Sequence, residues 1–94
     1  MKILEKEVER LLCKEIKKKG GLCLKFISPS MAGVPDRLVI LNGLYLVELK
    51  RPDGGKLSPL QIAVHKKLAK AGAPVTILKD REGVLKFVRD ISTP

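Results

Sequence analysis

Two carboxylates and an ammonium recur in this chain at a spacing that can do chemistry. Gly33-Val34-Pro35-Asp36 is followed by eleven residues and then by Glu48-Leu49-Lys50. The intervening stretch is mostly apolar and carries an Asn42-Gly43 pair, the strongest short signal for a chain that folds back on itself. An Asp and a Glu brought together bind a hard cation such as Mg²⁺, and a neighbouring Lys can hold or deprotonate a water molecule. Glu48 and Lys50 are two apart in a strand pattern, so they share a side. The competing reading is ordinary strand-end charge, balanced by Arg37, Lys50 or Arg51. Against it stands the position of Glu48 within the alternating run Leu44 to Lys50. There a carboxylate near the sheet interior needs a compensating cation.

The rest of the composition narrows what such a site would act on. Ninety-four residues make one domain, 1–94, with a modest core. Nineteen Lys and Arg against ten Asp and Glu leave a net charge of +9, which favours nucleic acid or an anionic membrane surface. The lysines are spread over several segments, no 18-residue apolar stretch exists, and Met1-Lys2-Ile3-Leu4-Glu5 has no signal-peptide pattern. Nucleic acid is therefore the expected partner, with no membrane and a cytoplasmic location. Cys13 and Cys23 match no metal-ligand spacing and read as buried thiols in a reducing interior. His65 is the only histidine, which excludes a mechanism needing two imidazoles, and three aromatic residues argue against binding single strands by stacking.

The elements that must position the trio follow from periodicity. Residues 3 to 19 read as a helix with Leu4, Val8, Leu11, Leu12 and Ile16 on one face, three lysines in the last turn and Gly20-Gly21 as the stop. Leu22 to Ile27 is a strand and Ser28 to Pro35 a loop. Residues 36–41 and 44–50 form the two arms of a hairpin, and Pro52 to Gly55 break the chain. Ser58-Pro59-Leu60-Gln61 opens a helix with a cap, a first-turn proline and a capping-box glutamine, and this helix ends at Gly72. Ala73 to Leu78 is a strand, and Asp80 caps a last helix running to about Ile91. The order αβββαβα predicts an α/β domain, a small mixed sheet flanked by helices.

Hairpin register decides whether the carboxylates can meet. A two-residue turn at Asn42-Gly43 sets Asp36 opposite Leu49, with Asp36 and Glu48 on opposite faces. A three-residue turn restores a shared face. The expectation is such a turn, with Gly43 left-handed at a bulge, Asp36 facing Lys50 and Leu38 facing Glu48.

GVPD, the eleven-residue gap, VELK and a glutamine in the following helix together resemble the PD-(D/E)xK nuclease signature. More narrowly, nearly the whole chain is similar to the stand-alone virus-type replication-repair nuclease (VRR-NUC) domains often carried by phages. The resemblance implies a restriction-endonuclease-like core and Mg²⁺- or Mn²⁺-dependent hydrolysis of DNA, leaving 5′-phosphate and 3′-hydroxyl ends. Asp36, Glu48 and the Leu49 carbonyl would be metal ligands, with Lys50 positioning and helping to deprotonate the attacking water. Gln61 would join the catalytic set, in competition with its capping-box role. A first-helix Glu would complete the metal shell. Glu5, Glu7, Glu9 and Glu15 are the candidates, Glu9 is preferred from its distance to Gly20, and Glu5 is the reserve. Lys25, Arg37, Arg51 and Lys56 would ring the site and contact the nucleic-acid backbone. His65, one turn after Gln61, could approach a phosphate or sit at the surface, and Ser28 and Ser30 could contribute from the loop. Resolvase-like relatives further imply a homodimer acting on branched or junction DNA. The alternative is a basic nucleic-acid-binding module without catalysis, although such a module usually loses one of Asp36, Glu48 and Lys50.

Overall fold

A computed structural model describes residues 5–50 and 56–93. The order is α1 (Glu5–Lys18), β1 (Leu22–Lys25), β2 (Arg37–Ile40), β3 (Leu44–Leu49), α2 (Pro59–Lys70), β4 (Val75–Leu78) and α3 (Arg81–Ser92). It reproduces the αβββαβα expectation. Leu4, Arg51 and the break at Pro52 to Gly55 lie outside the described residues.

The four strands form one mixed sheet in the order β1-β2-β3-β4, antiparallel except for the parallel β3–β4 pair. Alternation gives the sheet two unlike faces. Cys23, Val39, Tyr45, Val47, Leu49 and Leu78 look towards α1 and α3, which contribute Val8, Leu12, Ile16, Val84, Val88 and Ile91 to the core. Tyr45 and Phe87 meet edge to face across this layer, with ring centroids 5.6 Å apart. Leu38, Ile40, Leu46 and Glu48 point to the other face, whose β3–β4 side is covered by α2. The β1 side of that face is left open, and Leu22, Leu24 and Leu44 are 55%, 43% and 61% exposed there.

Turn chemistry sets the hairpin. The connection is three residues long, as expected, but it comprises Leu41, Asn42 and Gly43, with Ile40 paired to Leu44 and Leu38 to Leu46. Asp36, in the bend just before β2, therefore falls one step beyond the Arg37–Val47 pair, beside Glu48 and not opposite Lys50. The left-handed residue is Asn42 (φ 55°), with Gly43 at φ 152°. The extra residue was taken from the β2 arm because Leu41 turns inward against the core and the Asn42 amide donates to the Ile91 carbonyl at 3.0 Å. That bond ties the turn to the end of α3.

The caps of α2 and α3 form as their sequences require. Ser58 accepts from Gln61 N, the Gln61 side chain accepts from Ser58 N, and Asp80 accepts from Gly83 N at 2.7 Å.

Candidate active site

Asp36 reaches its place through the loop before it. Gly33 has φ +83° and lies against α2, where an added Cβ would stand 3.0 Å from Leu60 and 3.2 Å from Val64. Only glycine combines that backbone conformation with so close an approach. Pro35 is fully buried. The loop is thus pressed onto the start of α2, and Asp36 emerges at the head of β2. Its carbonyl accepts from Phe26 N at 2.9 Å, and its Oδ1 accepts a long bond from Leu49 N at 3.4 Å. The second bond crosses the hairpin and holds Asp36 beside the Glu48-Leu49-Lys50 segment.

Glu48 is 3% exposed, the one buried charged residue among the described core positions. Burial first, then the Asp36 charge, pushes its carboxyl up to about 7, against a smaller lowering by Lys50. Asp36 is raised too, chiefly by burial, with the Leu49 N–H working in the other direction. Each carboxyl thus resists ionisation beside the other, and a cation placed between them would relieve both. Glu48 Oε1 is moreover buried without a hydrogen-bond partner.

Lys50 follows at the end of β3, and its backbone N–H donates to the Leu78 carbonyl at 3.0 Å. Its Nζ donates to Gln61 Oε1 at 3.1 Å, and the same oxygen accepts from Ser58 N at 2.9 Å. An amide oxygen has two lone pairs. The capping box and the grip on Lys50 therefore coexist, and the expected competition between Gln61's two roles does not arise. His65 is half-buried on the inner flank of α2. Its side chain is 11% exposed and its Nε2 lies 3.5 Å from Glu48 Oε1, too far for a hydrogen bond. Burial, then the Lys50 charge, lowers its pKa.

The first-helix carboxylates are dispersed. Glu9 pairs with the guanidinium of Arg37 on the α1 face of the sheet. Arg37, the first residue of β2, points with Val47 to the core face and pairs there with Glu9, while the charges of both also act on Asp36. Glu15 lies 3.6 Å from Lys18 and lines a groove of about 530 Å³ between α1 and α3, on the far side of the sheet from Asp36 and Glu48. Glu7 is exposed. Glu5, the reserve, is the one whose charge raises Glu48. Lys25 and Lys56 are exposed, and Ser28 and Ser30 hydrogen-bond to each other at 3.3 Å.

Among the described residues no cluster of three His, Cys, Asp or Glu side chains is arranged to hold a metal ion. The donor set consists of the Asp36–Glu48 pair with the Leu49 carbonyl beside it. Few protein oxygens of this kind suit Mg²⁺ or Mn²⁺, which keep waters and substrate oxygens in their shell, and do not suit a closed four-ligand zinc site. The Glu48 carboxyl, its pKa raised by burial and by the neighbouring Asp36, fits such an ion.

No protein-family model matches the chain. A protein of Acyrthosiphon pisum secondary endosymbiont phage 1, named "Putative nuclease p44", is 43% identical over 82 residues, covering 85% of this chain and 87% of that protein. A solved structure of a VRR_NUC domain superposes with a TM-score of 0.81 at 31% identity, covering 90% of this chain and 94% of the other. Sequence and fold together show that the chain belongs to the VRR-NUC family of nuclease domains.

Proposed function

We propose that this protein is a nuclease, a Mg²⁺- or Mn²⁺-dependent DNA endonuclease that hydrolyses phosphodiester bonds. The observation that carries the reading is the Asp36–Glu48 pair, two carboxyls brought together at the head of the hairpin, with Lys50 held beside them by Gln61. Asp36, Glu48 and the Leu49 carbonyl would hold the ion. When bound, the ion would screen the charge growing on the phosphate and bring water and substrate together. Lys50 Nζ orients the attacking water and helps to take its proton, and Gln61 fixes where that Nζ stands. Of the first-helix carboxylates, Glu5 acts on Glu48 and Glu9, paired with Arg37, acts on Asp36, so both are candidates to complete the shell. Lys25 and Lys56, with Arg51, contact the phosphate backbone and supply salt-sensitive affinity.

The finer reading is a homodimer acting on branched or junction DNA. It is supported by the family resemblance and by the open β1 side of the sheet. There Leu22, Leu24 and Leu44 form an apolar surface of the kind that a second subunit covers.

Cleavage of labelled linear, nicked, flap and four-way DNA in Mg²⁺, Mn²⁺ or EDTA, alongside Asp36→Ala, tests both levels. Metal-dependent cutting that is lost in the mutant is expected. DNA binding by both proteins without any cutting would transfer the assignment to a non-catalytic module.

A further inference from the structure

Among the described residues, three buried side-chain polar atoms have no hydrogen-bond partner, and all three lie at one place: Glu48 Oε1, His65 Nδ1 and His65 Nε2. Buried polar groups are otherwise satisfied almost without exception. Nε2 faces Oε1 at 3.5 Å, a few tenths of an ångström beyond hydrogen-bond range. Such a pair is one small side-chain movement away from bonding.

The geometry points to His65 as a positioning residue, whose Nε2–H closes onto Glu48 Oε1 when the site takes up its divalent ion and so fixes the rotation of the Glu48 carboxylate. This rests on the metal-site reading above. One oxygen of Glu48 is then anchored on α2, and the other is left for the side shared with Asp36.

The backbone supports the arrangement independently. β3 and β4 are parallel, so the α2 crossover between them runs back against β3. Two residues along a strand span about 6.6 Å, and four residues along a helix span about 6 Å. Residues i and i+4 of α2 thus match residues i+2 and i of β3. Gln61 meets Lys50 and His65 meets Glu48, in the order that antiparallel packing demands. The first of these contacts is already a hydrogen bond at 3.1 Å. The second is its counterpart one turn later, so a single helix face would hold both the acid and the lysine of the site. Ligating carboxylates are commonly fixed in this way by an outer partner, whose loss weakens metal binding by about 10- to 100-fold.

His65→Gln and His65→Leu separate a donor from mere bulk, because glutamine can present an N–H near the position of Nε2 and leucine cannot. Mn²⁺ is titrated into wild type and each variant, and the remaining free ion is counted by its EPR signal. The Mg²⁺ concentration for half-maximal cleavage is measured in parallel. His65→Leu is expected to weaken Mn²⁺ binding about tenfold and to raise the Mg²⁺ requirement, while saturating Mg²⁺ restores most of the rate. His65→Gln should recover most of the affinity. Wild-type affinity in His65→Leu would overturn the inference, as would an equal loss in both variants, which would mark a packing role. Absence of Mn²⁺ binding by wild type would instead remove the metal-site reading, and this inference with it.

Discussion

Glu48→Gln should make the metal-free protein more stable at pH 8, although it removes a residue central to the proposed site. The Glu48 carboxyl is 3% exposed and lifted from 4.5 to about 7 by burial and by Asp36. Its folded-state pKa lies above its unfolded value, so its contribution is fully present below about pH 4.5 and is lost as pH rises through about 7. A rise of that size corresponds to about 3 kcal/mol of penalty for the ionised form above pH 7. Glutamine has the same shape without the charge. In a domain of this length, about 3 kcal/mol moves the melting temperature by more than about 10 °C. Thermal melts of wild type and Glu48→Gln in EDTA at pH 5 and pH 8 provide the assay. The variant should melt higher at pH 8, and most of the difference should vanish at pH 5. Saturating Mg²⁺ should raise the wild type and leave the variant unmoved. A variant that melts below wild type at pH 8 in EDTA would show instead that Glu48 is stabilised by its surroundings and not held in them against its charge.

Other consequences are more local. Gln61→Ala breaks the capping box and frees Lys50 together, so urea unfolding should show a loss of about 1 kcal/mol, and cleavage at saturating Mg²⁺ should fall at least about tenfold. Leu12→Ala opens a cavity under α1, where Leu12 is fully buried. It should cost about 3 kcal/mol in urea unfolding, with the Mg²⁺ requirement of the folded fraction unchanged. The Cys23 thiol is pushed up to about 12 by burial and by Cys13, whose sulfur lies 2.7 Å away. It should resist alkylation by iodoacetamide at pH 8 until the protein is unfolded, which mass spectrometry after a timed pulse would read.

Much of this site was legible because its chemistry restricts the register. Asp36 and Glu48 can serve one ion only if they share a face, and that requirement selects an odd-length turn at Asn42-Gly43. Every even shift preserves the shared face. Parity alone therefore could not distinguish Asp36 facing Lys50 from Asp36 beside Glu48. The choice was made by Leu41 turning into the core and Asn42 bonding to Ile91, contacts made with α3 far along the chain. The Arg37–Glu9 pair carried a signal that alternation could have supplied. A residue adjacent to Asp36 in a strand faces away from it, towards whatever helix covers the other side. The closeness of His65 to Glu48 depends on how far α2 slides along the sheet, which the close contact at Gly33 sets and periodicity does not. The αβββαβα order itself was read from local signals of caps, glycines and the hairpin pair, and these signals agreed with the tertiary fold.

The Asp36–Glu48 pair, through a divalent ion, is proposed to cut DNA. Single-turnover cleavage of one end-labelled DNA in Mg²⁺ by wild type and by Asp36→Asn tests it most directly, with DNA affinity measured on the same samples. Asp36→Asn should lower the cutting rate by about a hundredfold to a thousandfold with unchanged or tighter DNA binding, and the wild-type products should carry 5′-phosphate ends. An Asp36→Asn protein that cuts within tenfold of wild type would contradict the proposal and place the chemistry elsewhere on the molecule.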